Sequence, residues 1–269
     1  MHGTGNDFVL VDTIRDGSFL GPEGPAAKRL CDRTFGIGAD GFILVERSED
    51  QLSMRMFNPD GSESEMCGNG LRTFARLCHD RGYGNQTFLV KTGAGSLAVA
   101  CLPDGSVITN LGQAVLDPSK IGMIGVNEES FVNVEIGKGR SGTAVSMGNP
   151  HLVIIVDNVE AIDLDVEGPQ FETHPFFPKR TNVHFVQVVS QGELIQRTWE
   201  RGAGVTLACG TGACASVVAT FLNGKTDRKV KVRLPGGVLF VEYLENGSVE
   251  LTGKAEYCFE GVSSSLLES

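Results

Sequence analysis

Two short stretches hold the residues best suited to chemistry. Cys67 opens CGNGLRTFARL, and Cys209, 142 positions later, opens CGTGACASVVA. In each, Cys-Gly-x-Gly runs directly into a helix-like segment. A cysteine at the first turn of a helix faces unpaired backbone N–H groups and the positive end of the helix dipole. Both favour thiolate and draw the thiol pKa from about 8.5 toward neutrality. The adjoining glycines let a ligand approach the backbone, whose N–H groups suit a carboxylate. A thiolate on one side of an acidic carbon and a thiol on the other would invert it, one removing the proton and the other supplying a new one. A single Cys-Gly-x-Gly is more simply read as a packed cysteine before a loop. The pair, at matching places in one chain, favours catalysis.

The match extends well beyond the cysteines. Asn58-Pro-Asp-Gly begins nine residues ahead of Cys67, and Glu200-Arg-Gly-Ala-Gly nine ahead of Cys209. GSLAVACLPDGSV (95–107) aligns with GVLFVEYLENGSV (237–249) at the same offset, with seven of thirteen positions identical. GFILV (41–45) aligns with VHFVQ (183–187) in pattern, and GNDFVLV (5–11) with GNPHLVI (148–154) at an offset of 143. Such spacing predicts two homologous halves, 1–112 and 143–255, with extra segments at 113–142 and 256–269. The expected domains are 1–112 with the tail 256–269, carrying Cys67, and 113–255, carrying Cys209. Each half is rich in strand signals: DFVLVD, GFILVERS, TFLVKT, SLAVACL and SVITNL, then HLVIIVD, NVHFVQVVS, ELIQRTWE, KVKVRLP, VLFVEYL and SVELTG. Asn246-Gly247 marks a turn. In the first principal helix Leu71, Phe74, Ala75 and Cys78 share a face and Gly82 closes it. The second, over 213–222, is apolar or small almost throughout, which requires strands on all sides. A smaller helix is expected over 25–35, with Ala27, Leu30, Cys31 and Thr34 on one face.

Composition narrows the function classes. A hydrophobic content of 41% and a charged content of 21% are ordinary for a globular chain. A net charge of −10 argues against a nucleic-acid or anionic-membrane binder, and no apolar run approaches a membrane span. Seven cysteines without a Cys-x-x-Cys pair, and the absence of a secretion-signal pattern at MHGTGNDFVLVD, point to a reducing cytoplasm. The five histidines do not fall at zinc-like spacing from the cysteines, and no metal is expected. Cys31, Cys78, Cys101, Cys214 and Cys258, with His2, His79, His174 and His184, are read as packing residues.

Taken in order, MHGTGNDFVLVD, FNPDGSESEMCGNGLR, SMGNPH, TNVHFVQV and WERGAGVTLACGTGACAS resemble the successive motifs of the diaminopimelate epimerase family, over essentially the whole chain. The resemblance implies an isomerase that converts LL-diaminopimelate to the meso isomer for lysine and cell-wall precursor synthesis, without pyridoxal phosphate or metal. The fold it implies is α/β (α+β): two pseudo-symmetric domains, each a β-barrel-like sheet wrapped around a central helix, with the C-terminal tail returning to the first. A cytoplasmic homodimer acting on diaminopimelate, with no nucleic-acid or membrane partner and no cofactor, is expected. Cys67 and Cys209 match the catalytic cysteines of that family. Gly68, Asn69, Gly210 and Thr211 match the donors to the reacting carboxylate. Asn6, Asn58, Asn149, Asn182, Glu200 and Arg201 match the groups that grip the amines and the distal carboxylate, and His151 a histidine near the catalytic centre. Three departures stand out: the sequence begins at Met-His-Gly, where relatives usually carry a preceding strand; Gly41 replaces a polar binding residue; and Val205 stands where many relatives have Glu. The alternatives are a proline racemase-type enzyme, a thiol redox protein, and a silent binding protein on the same scaffold.

Overall fold

A computed structural model describes residues 1–17, 19 and 21–262. It resolves into two compact units, Met1–Asn110 with the described residues from Thr252, and Leu111–Leu251. Among the described residues no helix is long and apolar enough to cross a membrane.

In the first unit, strands Asn6–Asp12 and Gly41–Ser48 pair in parallel, and Gln51–Phe57 returns antiparallel to the second. Thr87–Thr92 adds a parallel neighbour, and Gly95–Cys101 continues antiparallel. These strands enclose the helix Gly68–Asp80. Its Leu71, Phe74, Ala75 and Cys78 are buried with Phe8, Ile43, Val45, Met54, Val90 and Val99. Each such Leu, Ile or Phe contributes roughly 1.5–3 kcal/mol of hydrophobic free energy. GFILV is apolar at every position because both faces of its strand are covered. Ile43 and Val45 meet the central helix, while the alternating Phe42 and Leu44 pack with Ala27, Leu30 and Cys31 of the helix Glu23–Cys31.

That smaller helix ends before the position expected from its apolar spacing. Asp32 turns to extended backbone, and its carboxylate accepts from the N–H groups of Thr34 and Phe35, both at 2.7 Å. The side chain thus offers the backbone a turn in place of another helical turn, and Thr34 is left exposed. Cys258 also departs from expectation, being exposed rather than packed. Beside it, Glu256 exchanges two backbone hydrogen bonds of 2.9 Å with His2, so the C-terminal segment returns to the opening strand.

In the second unit, Pro150–Ile155 and Asn182–Ser190 pair in parallel, with Ser141–Ser146 and Glu193–Glu200 antiparallel on their outer sides. Lys229–Leu234 and Gly237–Tyr243 extend the sheet. Leu194, Val232 and Leu239 pair in series, as do Leu52, Val90 and Leu97, each 142 positions earlier. The helix Gly210–Leu222 is buried from Gly212 to Thr220 among Val145, Val153, Val186, Val230 and Leu239. The opposite sheet face, with Leu152, Ile154 and Phe185, is covered by Ile121, Phe131 and Ile136, and by Phe171 of the helix Leu164–Glu172. The segment 113–142 therefore supplies part of a second core.

Candidate functional site

Each cysteine of interest is the N-cap residue of a thirteen-residue helix, and each has extended backbone, φ −138° and ψ 125° at Cys67, φ −120° and ψ 107° at Cys209. A Ser, Asp or Asn there would accept from an N–H of the first turn. Neither cysteine side chain makes a capping hydrogen bond, and the N–H groups of a helix's first turn have no partner within the helix.

In the first unit Cys67 is half-buried, and its thiol lies 3.7 Å from Asn6 Oδ1. The same oxygen accepts from Asn69 Nδ2 at 3.1 Å, and Asn6 Nδ2 donates to Asp40 at 2.7 Å. Asp40 is held in turn by Arg33, which also pairs with Asp7. Behind Asn69 lies Arg72, wholly buried, donating to Asn69 Oδ1 at 2.7 Å and Thr4 Oγ1 at 3.0 Å. A guanidinium charge thus sits inside the first turns of the Cys67 helix. Asn58 forms a separate turn in which its amide donates to Ser62 Oγ at 3.0 Å. Gly41 is buried, and a Cβ there would lie 3.1 Å from both Phe8 and Met56. The room a side chain would occupy at this position is filled by those two apolar groups.

In the second unit Cys209 is buried, 3.6 Å from Thr211 Oγ1. His151, His184 and Cys209 bring ligand atoms within 4.8 Å of one another. His151 Nδ1 lies 2.9 Å from His184 Nε2, and His151 Nε2 lies 2.9 Å from Asn149 Oδ1. His184 Nδ1 lies 3.0 Å from Thr198 Oγ1. Burial holds both rings neutral: it pushes His184 down to about 3 and, with the repulsion of His184 and Arg201, holds His151 well below 6.5. The trio has the donor set of a soft-cation site. All four ring nitrogens are engaged in hydrogen bonds, however, and a cation would have to displace them. Asn182 is buried with its amide tied to backbone on both sides, donating to Pro150 O at 2.9 Å and accepting from Arg201 N–H at 3.0 Å. It thereby places Arg201, whose guanidinium is exposed and donates to Lys179 O at 3.4 Å. Glu200 accepts from the Thr206 hydroxyl at 2.6 Å. Val205, one residue away, is a solvent-facing apolar side chain.

The structure thus gathers Asn6, Cys67, Gly68 and Asn69 in one unit, and Asn149, His151, Asn182, Glu200, Arg201, Cys209, Gly210 and Thr211 in the other. The Asn58 amide is engaged within its own turn, by Ser62. The sequence alone assigned Arg72 no role and read His184 as packing; the structure buries that ring and hydrogen-bonds it to His151. Its place between Val183 and Phe185 in TNVHFVQV is the one sequence signal for His184. A cavity of about 520 Å³ lined by Thr13, Phe19, Glu23 and Glu46 shares no residue with either cysteine cluster.

A family model described as diaminopimelate epimerase matches residues 1–116 and 143–258. The diaminopimelate epimerase of Desulfitobacterium hafniense is 47% identical, the alignment covering 97% of this chain and 96% of that protein. That of Leptospira biflexa is 46% identical with the same coverage. Among solved structures, a PhzF-family phenazine biosynthesis protein from Bacillus anthracis superposes with a TM-score of 0.67 at 15% identity, over 94% of this chain and 92% of that one. A hydroxyproline epimerase from Agrobacterium vitis gives 0.62 at 13% identity, over 94% and 87%. At these identities the two structures establish the fold alone.

Proposed function

Because the chain belongs to the diaminopimelate epimerase family, we propose that it interconverts LL- and meso-2,6-diaminopimelate, with Cys67 and Cys209 as the paired acid and base. The observation that carries this reading is the identical placement of the two cysteines, each at the N-cap position of a thirteen-residue helix with no capping hydrogen bond from its side chain. In the proposed reaction one cysteine, as thiolate, takes the α-proton and becomes a thiol. The other, as thiol, delivers its proton to the opposite face and becomes the thiolate. Total charge is unchanged, and the two protonation states have exchanged between the cysteines. An amino acid α-proton is very weakly acidic, so stabilising the carbanionic charge is the chief requirement. In this reading the N–H groups at Gly68, Asn69, Gly210 and Thr211 receive the reacting carboxylate, where the helix dipoles favour negative charge. Arg201 offers a planar fork to the distal carboxylate and Glu200 an acceptor to an ammonium, with Asn6, Asn58, Asn149 and Asn182 completing the grip. His151, held neutral beside Cys209, is a hydrogen-bonding neighbour rather than a standing charge. The reading needs no cofactor, and it takes the enzyme as a cytoplasmic homodimer, for which sedimentation at assay concentration checks the dimer.

The test is conversion of LL-diaminopimelate under reducing conditions by the wild type, Cys67→Ala and Cys209→Ala, with proline as the competing substrate. Each alanine variant should fold and lose turnover by about 10²–10⁴-fold or more, the range for a positioned acid or base. Near-normal turnover in either variant, or preferred use of proline, rejects the proposal.

A further inference from the structure

We propose that His184 is a positioning residue which, through His151, fixes the Asn149 amide with its oxygen toward His151 and its NH₂ group left to donate to the ligand. The inference rests on the reading of Asn149 as a substrate-binding residue. His184, Gln196 and Thr198 are buried with His151. Gln196 Nε2 donates to Thr198 Oγ1 at 3.0 Å and lies 3.3 Å from His184 Nδ1, which is also 3.0 Å from Thr198 Oγ1; an amide nitrogen only donates, so Nδ1 is the acceptor. With Nδ1 accepting, the neutral His184 ring carries its proton on Nε2 and donates it to His151 Nδ1. His151 must then carry its own proton on Nε2, and donates it to Asn149 Oδ1.

The opposite direction is the poorer one. Turning Gln196 over would reverse every bond in the chain and leave its two buried N–H groups without acceptors. The observed direction leaves only its Oε1 unpaired. A buried carbonyl tolerates this better than a buried N–H pair. The rings are also held mechanically. A Cβ at Gly212 would lie 2.2 Å from His184 Cε1 and 2.6 Å from its Nε2, so the imidazole rests directly on the backbone of the Cys209 helix. The second glycine of Cys-Gly-x-Gly is therefore the space that His184 fills. With Oδ1 accepting from His151, the Asn149 amide is fixed in one orientation and its NH₂ group is left to donate, which suits a carboxylate oxygen better than an ammonium.

The test joins tautomer and kinetics. Long-range ¹H–¹⁵N spectra of the wild type at neutral pH should show His151 and His184 both as Nε2–H tautomers. Nδ1–H tautomers would reverse the chain and overturn the proposal, while leaving the epimerase reading to its own assay. His184→Met should raise KM for diaminopimelate about tenfold, with a smaller change in kcat, as expected when a bound carboxylate loses an aligned donor. His184→Gln, which returns an N–H near the Nε2 position, should recover most of that loss. A folded His184→Met with wild-type KM, or a His184→Gln no better than it, contradicts the assignment. Should His184→Met fail to fold, the wild-type tautomers and the KM of His184→Gln still decide.

Discussion

Arg72 is the largest side chain wholly buried in the structure, and its charge lies next to the Cys67 helix end. Removing its guanidinium leaves Asn69 Oδ1 and Thr4 Oγ1 without that donor, and a buried polar group left unsatisfied costs about 1–3 kcal/mol. Arg72→Met should destabilise by about that amount in urea unfolding, and it should slow iodoacetamide alkylation of Cys67 at neutral pH, because a positive charge that favours thiolate is gone. Lost stability with an unchanged alkylation rate would confine Arg72 to structure. The buried histidines make a second prediction at this scale. In the unfolded chain His184 takes up a proton near pH 6.5, whereas in the fold it stays neutral down to about 3. The unfolded state then binds more protons, so stability is full above pH 6.5 and is lost as the pH falls toward 3. The slope is about 1.4 kcal/mol per pH unit for each such group. Between pH 6.5 and 5, above the carboxylate range, His184→Gln should show a shallower loss of Tm than the wild type; equal slopes would contradict the burial argument. Arg72 gave no signal in the sequence, and His184 gave only its place between Val183 and Phe185. A charge next to Leu71 reads as solvent-facing by default, and only the tertiary enclosure of the helix buries it. Cys67 and Cys209 were legible because the duplication points to them twice.

The two central helices put the same motif in different surroundings. At Gly212 an added methyl meets the His184 ring between the helix and its strand, whereas at Gly70 it meets the flexible end of Ile43 at 3.0 Å. Gly212→Ala should therefore cost more stability than Gly70→Ala, about 1–3 kcal/mol for overpacking against a ring that cannot retreat. Thermal unfolding of both variants checks this, and a Gly70→Ala at least as destabilised would show that the ring yields. At this scale most strands could be read from alternation and β-branched runs, and both central helices from their caps and apolar faces. Gln51–Phe57 was missed because its polar and methionine residues carry little strand signal. Leu164–Glu172 was missed because Gly168 and Pro169 lie inside it, and tertiary burial of Leu164 and Phe171 overrides them.

At the scale of the whole molecule, the 142-residue repeat gives each unit one strand-enclosed helix and one cysteine at its mouth, and the proposed chemistry assigns the two cysteines complementary protonation states. A single base would return the proton it removed, or exchange both isomers alike. Two opposed groups behave differently, since the acid that completes the inversion has already equilibrated with solvent. The most direct measurement is the early time course of LL-diaminopimelate in D₂O under reducing conditions, following isomer ratio and deuterium at the reacting carbon together. Each molecule of meso product should carry one solvent deuterium at the inverted carbon, while the unreacted LL isomer remains protiated. Product that retains the substrate's own protium, or deuterium entering the LL isomer as fast as inversion proceeds, would contradict a two-cysteine mechanism.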